Sequence, residues 1–302
     1  MRTRRRFILL PLLLSLLLTS ASSSAAPPSQ ESLRIGVDLS SLRDASRADV
    51  EVSLKVWSDE LMRELEVPAE VMFYPAMPDV RRALEAGRVN FIIGDGLDLL
   101  RHFTPNDLSD GFGGQAPNEG QLFLLVRKAA DIKQASDLAG KRVVLLSANA
   151  ISNLWLETCC LRTFQRTCAK AGLQVNTEQR SRQLVLKLFF DKADAALVRG
   201  YAYELARELN PQIGQRIDIL ERIDIYPGAL GLFGRQVSPA FRDYVIAKVP
   251  QLHDHPRGRQ ILEVLQTSRV GRVPHSLLDP IRDLVREHEM LSRRYVASGD
   301  RK

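Results

Sequence analysis

The sequence predicts an α/β protein of two lobes, each built on a mixed, mostly parallel sheet flanked by helices, with a ligand cleft between the lobes. Two observations predict this fold class. Short apolar, strand-like segments alternate with segments of helical periodicity, which is the pattern of right-handed βαβ units. A second series of this kind is inserted into the first, and the length of 302 residues suits about two compact units.

The first series begins with an apolar strand at residues 33–37. A helix follows, predicted from apolar residues at helical spacing: Val50, Leu54, Trp57, Leu61 and Leu65. A second strand at 71–74, a short helix at 78–86 and a third strand at 89–93 complete the series. The carboxyl ends of parallel strands meet at one edge of a sheet, so we expect a ligand to bind at that edge.

A stretch rich in Gly, Pro, Asn and Asp at residues 104–120 is predicted to be a loop. The second series follows it, with strands at 122–126, 143–146, 173–175 and 195–198 and helices at 150–167 and 181–190. Strands at 217–220 and 228–233 then precede helices at 239–249, 256–267 and 276–293. We therefore assign residues 33–122 plus 223–302 to lobe one and residues 123–222 to lobe two. We expect the hinges near 121–126 and 216–226.

The first 25 residues have the composition of an export signal. A basic segment at 1–6 precedes an apolar run at 7–18, and small residues lead to a cleavage site after Ala25, with a linker at 26–32. The apolar run is shorter than the roughly 20 residues of a membrane-spanning helix. The general secretory and twin-arginine routes both stay open. We expect a periplasmic protein.

Most of the net charge of +6 belongs to this signal, which holds four arginines and no acid. The remaining chain is therefore close to neutral, which argues against a nucleic-acid partner. The mature cysteines are Cys159, Cys160 and Cys168. In an oxidising compartment one short-range disulfide to Cys168 would leave one thiol, and simple core packing is the other interpretation.

Four strings, in this order, resemble a known family. Residues 125–132 read Leu-Val-Arg-Lys-Ala-Ala-Asp-Ile, and residues 136–143 read Ser-Asp-Leu-Ala-Gly-Lys-Arg-Val. Residues 193–198 read Ala-Asp-Ala-Ala-Leu-Val, and residues 257–259 read Arg-Gly-Arg. Over residues 33–289 the chain resembles the periplasmic solute-binding proteins of phosphate/phosphonate ABC importers. The resemblance implies the type II periplasmic-binding-protein fold, a monomer, a small anionic solute and a membrane permease as partner.

The chain departs from this family where the family binds its ligand. The family carries a Ser-Thr-Ser-Gly string that holds phosphonate oxygens at a helix N-terminus, whereas residues 150–153 here read Ala-Ile-Ser-Asn. Asp95 stands where the family has an aromatic residue, and an unpaired carboxylate would repel a phosphonate. With Arg199 opposite, Asp95 would instead suit a zwitterion, its amine at the carboxylate and its acid group at the guanidinium.

The candidate ligand-binding residues follow the predicted strands on the cleft side. They are Asp38, Ser40, Ser41, Tyr74, Gly94 and Asp95 from lobe one and Ser147, Asn149, Ser152, Asn153 and Arg199 from lobe two. Purely structural roles are open for several of them. Asp38 and Ser40 could only make a turn, Asn149 could only cap a helix, and Arg199 could be a solvated surface charge.

No catalytic, cofactor or metal motif is present in the sequence. It contains no Gly-x-Ser-x-Gly elbow, no His-Glu-x-x-His and no phosphate-binding loop, so we expect neither an enzyme nor a bound cofactor. The His-Asp-His string at 253–255 has no further ligands at metal-binding spacing. Two functions stay open: delivery of a solute to an ABC importer, or a sensory module that signals to a membrane receptor.

Overall fold

The computed structural model describes residues 31–42, 47–115, 118, 120–147, 149–226, 228–264, 267 and 269–295. The predicted signal and its cleavage site lie outside these residues. The strands are β1 (Leu33–Asp38), β2 (Ala69–Tyr74), β3 (Phe91–Asp95), β4 (Leu108–Gly114), β5 (Leu122–Arg127), β6 (Arg142–Leu146), β7 (Gln174–Glu178), β8 (Ala195–Arg199), β9 (Ile217–Ile223), β10 (Ala229–Gly234) and β11 (Val270–Val273). The α-helices are α1 (Arg47–Leu65), α2 (Met77–Glu85), α3 (Gly96–His102), α4 (Ala150–Phe164), α5 (Ser181–Phe189), α6 (Gly200–Leu209), α7 (Gln212–Arg216), α8 (Pro239–Lys248), α9 (Pro256–Val264) and α10 (Asp279–Tyr295).

The strands form two mixed sheets, which confirms the predicted two-lobed α/β fold. In lobe one the order is β11-β4-β10-β3-β1-β2, and in lobe two it is β7-β6-β8-β5-β9. Parallel pairing joins β1 to β2 and β3, and β6 to β7 and β8. The other five strand pairs are antiparallel, which is a larger share of the pairs than the sequence suggested. Four of these pairs involve β5 or β10, the strands that follow the two crossings between the lobes.

Two strands lie where the sequence predicted none. β4 lies within the predicted loop at 104–120, and β11 lies between two predicted helices. β4 reads Leu-Ser-Asp-Gly-Phe-Gly-Gly, a composition typical of a loop, yet it is paired on both sides by β10 and β11. Phe112 of this strand stacks on Phe91 with ring centroids 4.4 Å apart, so β4 contributes to the aromatic core of lobe one.

The chain changes sheets between Gly114 and Leu122 and again between Ile223 and Ala229. The intervals predicted as hinges, 121–126 and 216–226, lie mostly in β5 and β9, which pair with each other, and each adjoins one of the two crossings. The position of the hinges stays a prediction. Gln121 donates to Asp224, and the Tyr226 hydroxyl donates to the Gly114 carbonyl at 3.2 Å, so the two crossings are tied together.

Helices cover both faces of the lobe-two sheet. α5, α6 and α7 bury one face through a core that includes Phe123, Val144, Leu188 and Tyr203. α4 covers the other face, and its buried residues belong to a core that continues into lobe one. α10 packs mainly against α4 and contacts α3 at its start, so the assignment of all of residues 223–302 to lobe one stays a prediction. Among the described residues, no helix combines the length and apolarity needed to cross a membrane.

Three of the strings that carry the family resemblance meet at one ion cluster. Asp194 precedes β8, and its carboxylate accepts hydrogen bonds from Arg142 and from Arg127, which lie at the adjoining ends of β6 and β5. The Arg142 side chain and backbone make three of these contacts, at 2.8 to 3.0 Å. These motif residues therefore hold the lobe-two sheet together at the end away from the cleft.

A disulfide joins Cys160 to Cys168 with their Cα atoms 5.2 Å apart. Cys160 lies in α4, and Cys168 follows the turn after that helix, where Gln165 adopts a left-handed conformation at φ 57°. Cys159 is a buried thiol, and burial raises its pKa. The structure therefore agrees with the first interpretation of the cysteines, one local disulfide that leaves one free thiol.

Candidate functional site

The lobe-one wall of the cleft is formed by the carboxyl ends of three parallel strands. Asp38 and Tyr74 are register partners at the ends of β1 and β2, and β3 ends beside them at Asp95. Gly94 precedes Asp95. These four predicted residues are therefore brought together by the sheet, as the βαβ pattern indicated.

Asp38 uses its carboxylate locally. It is fully buried, and it accepts hydrogen bonds from the Ser40 amide at 2.9 Å and from the Ser40 hydroxyl at 2.7 and 2.8 Å. The backbone of Ser41 continues into the same short 3-10 helix, and its side chain lies outside the described residues. In this conformation Asp38 and Ser40 make a turn at the edge of the sheet, which supports the wall without presenting a carboxylate to a solute.

Asp95 is the acidic group of the cleft. It caps α3, where its carboxylate accepts a hydrogen bond from the Leu97 amide at 2.9 Å. The pKa of Asp95 is raised to about 6, chiefly by burial and in smaller part by the Asp98 charge, while the Leu97 amide and the Arg199 charge act in the opposite direction. Asp95 is therefore ionised for the most part at pH 7 and becomes protonated in mildly acidic solution.

The Met77 side chain, which is not among the predicted site residues, packs over the end of β3. A Cβ built on Gly94 would lie 2.1 Å from the Met77 ε-methyl and 3.8 Å from the Asp38 Cβ. Gly94 therefore leaves the space that Met77 fills, and it has a packing role. Tyr74 is half-buried, and its hydroxyl lies 3.7 Å from the Met72 sulfur. No sequence signal pointed to Met77 beyond its place at the first position of α2.

The lobe-two wall is formed by the ends of β6 and β8 and the starts of α4 and α6. Because β6 and β8 run in parallel, their ends bring Ser147 and Arg199 to the same edge. Ser147 is exposed, and Arg199 is half-buried. The Arg199 charge lowers the pKa of Asp95, against the larger effect of burial.

The start of α4 is capped by the chain itself. The Asn149 side-chain oxygen accepts a hydrogen bond from the Ser152 amide at 3.0 Å, and the Asn153 side-chain amide donates to the Asn149 carbonyl at 3.1 Å. Asn149 and Ser152 are 4% and 1% exposed, whereas Ala150 is exposed. In the first turn of α4, the exposed residue Ala150 therefore offers only a methyl group. Ser152, which keeps a hydroxyl of the family's Ser-Thr-Ser-Gly string, is buried.

The first crossing between the lobes also reaches this edge. The Gly200 amide at the start of α6 donates to the Gln121 carbonyl at 2.9 Å, and a Cβ on Gly200 would lie 2.8 Å from the Asn118 Cβ. Asn118 has a φ of 61°, in the left-handed region that asparagine tolerates better than most residues. The Gly/Pro/Asn-rich composition around Asn118 is the sequence signal that could have identified it as a residue at this edge.

Comparison with known proteins gives three findings. A family model described as the periplasmic substrate-binding protein of phosphonate ABC transporters matches residues 41–277. A search of curated proteins found no significant match. Solved structures match this chain over most of its length. Their sequence identities are low, so the match shows a shared fold and nothing more.

One similar structure is PhnD1 from Prochlorococcus marinus in complex with methylphosphonate, with 14% identity, a TM-score of 0.58 and coverage of 84% of this chain and 97% of that one. Another is XAC2383 from Xanthomonas citri bound to ATP, with 16% identity, a TM-score of 0.57 and coverage of 88% and 100%. A third is a binding-protein component of an ABC phosphonate transporter from Pseudomonas aeruginosa, with 12% identity, a TM-score of 0.56 and coverage of 87% and 88%.

Proposed function

Because this chain belongs to the periplasmic substrate-binding proteins of phosphonate ABC transporters, we propose that it captures a small anionic or zwitterionic solute between its lobes and delivers it to an ABC permease. Membership implies export to the periplasm, a small-molecule ligand and a transport role without catalysis. Cleavage near Ala25 and a monomeric state are part of the proposal.

The proposal is supported by two opposite charges, one at a strand end of each lobe: Asp95 at the end of β3 and Arg199 at the end of β8. Arg199 can bind an acid group bidentately, and Asp95 can accept a hydrogen bond from an amine. A solute that bridges both would hold the lobes together, which is how hinge-bending proteins close around a ligand. The self-capped start of α4 supports a ligand other than a simple phosphonate, because no hydroxyl is exposed in its first turn.

The pH dependence of binding separates a zwitterion from a simple anion. A zwitterion needs the ionised Asp95, so its affinity should fall as pH decreases through about 6. A phosphonate or sulfonate without an amine should bind better once Asp95 is protonated, because the repulsion is then removed. The two ligand classes therefore change affinity in opposite directions over the same pH interval.

The test is a series of thermal melts of the chain expressed from Ala26. The probes are phosphate, methylphosphonate, 2-aminoethylphosphonate, methanesulfonate, glycine and ATP, the last because XAC2383 binds it. A ligand at 100 times its Kd stabilises by about 2.7 kcal/mol. We expect the largest shift with a probe that carries both an amine and an acid group. The absence of a shift with every probe would refute uptake of these solutes.

Matched variants assign the charges. Asp95→Asn should weaken binding of an amine-bearing probe and strengthen binding of methylphosphonate, whereas Asp79→Asn on α2, which loses an ion pair with Arg82 on the same helix, should change neither. Arg199→Gln should abolish binding of both, whereas Arg207→Gln on α6, which pairs with Glu204 at 2.7 Å, should not. Binding that survives Arg199→Gln unchanged would place the solute elsewhere.

A sensory role is the second candidate. The loss of exposed hydroxyls at the start of α4 favours it, because a chain with altered ligand binding need not feed an importer. Its closure would then signal to a membrane receptor. Neighbouring genes for a permease and an ATPase would support import, and a neighbouring kinase or cyclase gene would support sensing.

A further inference from the structure

The last helix contacts one helix from each lobe, α3 and α4. α10 begins beside α3, where a Cβ on Gly96 would lie 2.7 Å from the Ile281 δ-methyl and 3.3 Å from a methyl of Leu278. Ile281 is fully buried. Gly96 follows Asp95 directly, so the start of α10 packs against the helix that Asp95 caps.

Farther along, α10 packs against α4, the helix that begins at the lobe-two wall. The Arg162 guanidinium donates to both carboxylate oxygens of Glu287, each at 2.8 Å. This fork is the strong, geometrically specific form of an ion pair. Leu284 and Leu291 of α10 are buried as well, and Leu284 shares its core with Trp155 of α4.

A second polar contact lies beside the first. The Thr158 hydroxyl donates to the Leu154 carbonyl at 2.7 Å, so its proton is engaged and its oxygen is left to accept. His288 Nδ1 lies 3.1 Å from that oxygen and is therefore the donor. The other ring nitrogen, Nε2, lies 3.4 Å from the Ser292 hydroxyl.

We propose that α10 is a clasp that sets the width of the cleft, with Arg162, Glu287, Thr158 and His288 as positioning residues. The proposal rests on the proposed function, because it concerns the cleft between the same lobes. The first turn of α10 is fixed to α3 and its middle to α4, and these are the two helices whose starts carry Asp95 and Asn149. The cleft can open only if α10 releases α4 or pulls away from α3.

The clasp is tested by measuring the distance between the lobes without any ligand. Val52 of α1 and Leu209 of α6 are 63% and 79% exposed and lie on different lobes, so Val52→Cys and Leu209→Cys provide sites for spin labels. Cys159 is only 3% exposed and the other two cysteines are bonded, so the chain without introduced cysteines serves as the labelling control. Double electron–electron resonance then gives the distribution of inter-lobe distances.

Glu287→Gln should shift the distribution towards longer distances, with a change in the open-to-closed ratio of up to about fivefold, since a half-exposed ion pair is a modest contributor. The exchanged pair Arg162→Glu with Glu287→Arg should restore the original distribution. Glu289→Gln, which loses only the exposed contact to Arg293 on the same helix, should leave it unchanged.

A folded Glu287→Gln protein with an unchanged distribution would overturn the clasp, and so would a lower melting temperature without any change in distance. Thr158→Val provides a second, independent variant for the same measurement. Titration with 2-aminoethylphosphonate and methylphosphonate on the labelled parent tests the proposed function separately. If the distances become longer in Glu287→Gln but neither probe changes the distribution of the labelled parent, the clasp is supported and solute capture by this cleft is refuted.

Discussion

Replacing Asp194 by asparagine removes the charge at the centre of the ion cluster in lobe two. The carboxylate accepts four hydrogen bonds, three from Arg142 and one from Arg127 at 2.9 Å. The asparagine side chain keeps one acceptor oxygen and turns its amide nitrogen, a donor, towards a guanidinium that is also a donor. About two of the four bonds are therefore lost, and both arginines lose their counter-charge.

The size of the effect follows from these contacts. A hydrogen bond to a charged group contributes about 1.5–3 kcal/mol. The Asp194 side chain is 12% exposed and that of Arg127 is 18% exposed, but Arg142 is 38% exposed, so water compensates part of its loss. We expect a decrease of about 2–4 kcal/mol in the free energy of unfolding. For a chain of this size that corresponds to a melting temperature lower by roughly 3–7 °C.

Urea denaturation followed by circular dichroism measures the loss, with Asp191→Asn as the control. Asp191 is 66% exposed and lies 3.4 Å from the Arg127 Nε, so its substitution should cost little. Hydrogen bonds from Arg142 hold the pKa of Asp194 well below its usual range. Its contribution is therefore present above about pH 4 and lost as the pH falls further, so wild type and Asp194→Asn should converge in acid. Equal stability of Asp194→Asn and Asp191→Asn at pH 7 would refute this account of the cluster.

Three further predictions concern other regions. Asp95 has its pKa raised by burial to about 6, so the melting temperature should fall as pH rises from about 4 through 6, and Asp95→Asn should flatten this fall; an unchanged profile would contradict the assignment. Gly111→Ala should prevent β4 from pairing, because its Cβ would lie 2.0 Å from a carbonyl oxygen of the neighbouring strand. Gly113→Ala should be milder because its nearest neighbour is 3.2 Å away, and equal urea midpoints would sink the argument. Reduction of the Cys160–Cys168 bond should lower stability by about 2–3 kcal/mol, measured by melting with and without dithiothreitol, and no shift would show that the bond does not constrain the unfolded chain.

The sequence predicted the strands with apolar runs and missed those whose pairing is decided by distant residues. The strands predicted at 33–37 and 195–198 lie within β1 and β8, because their burial on both faces leaves a continuous apolar run. β4 has three glycines, and the Gly111 backbone approaches that of Gly231 too closely for any side chain. The close approach of two backbones depends on tertiary structure. A prediction from local composition therefore reads these glycines as a loop.

The candidate site shows the same division. The apolar runs were enough to place Asp95 at the end of β3 and Arg199 at the end of β8, because both strands pair in parallel with a neighbour. The burial of Ser152 and the packing of Met77 over Gly94 depend on how helices seat on the sheet, which the residue pattern does not encode. For the same reason helical periodicity predicted the last helix but not its contacts with both lobes.

The adjacent cysteines of α4 have a consequence for how the chain is made. Neighbouring residues on a helix point about 100° apart, so the folded helix presents Cys160 to Cys168 and turns Cys159 into the core. An unfolded chain has no such preference, and either thiol could react. Formation of α4 before oxidation therefore selects the Cys160–Cys168 bond, whereas oxidation of the unfolded chain also yields bonds of Cys159 that have to be reshuffled. Helix formation and oxidation of Cys168 thus compete, and a helix that forms early raises the yield of the correct bond.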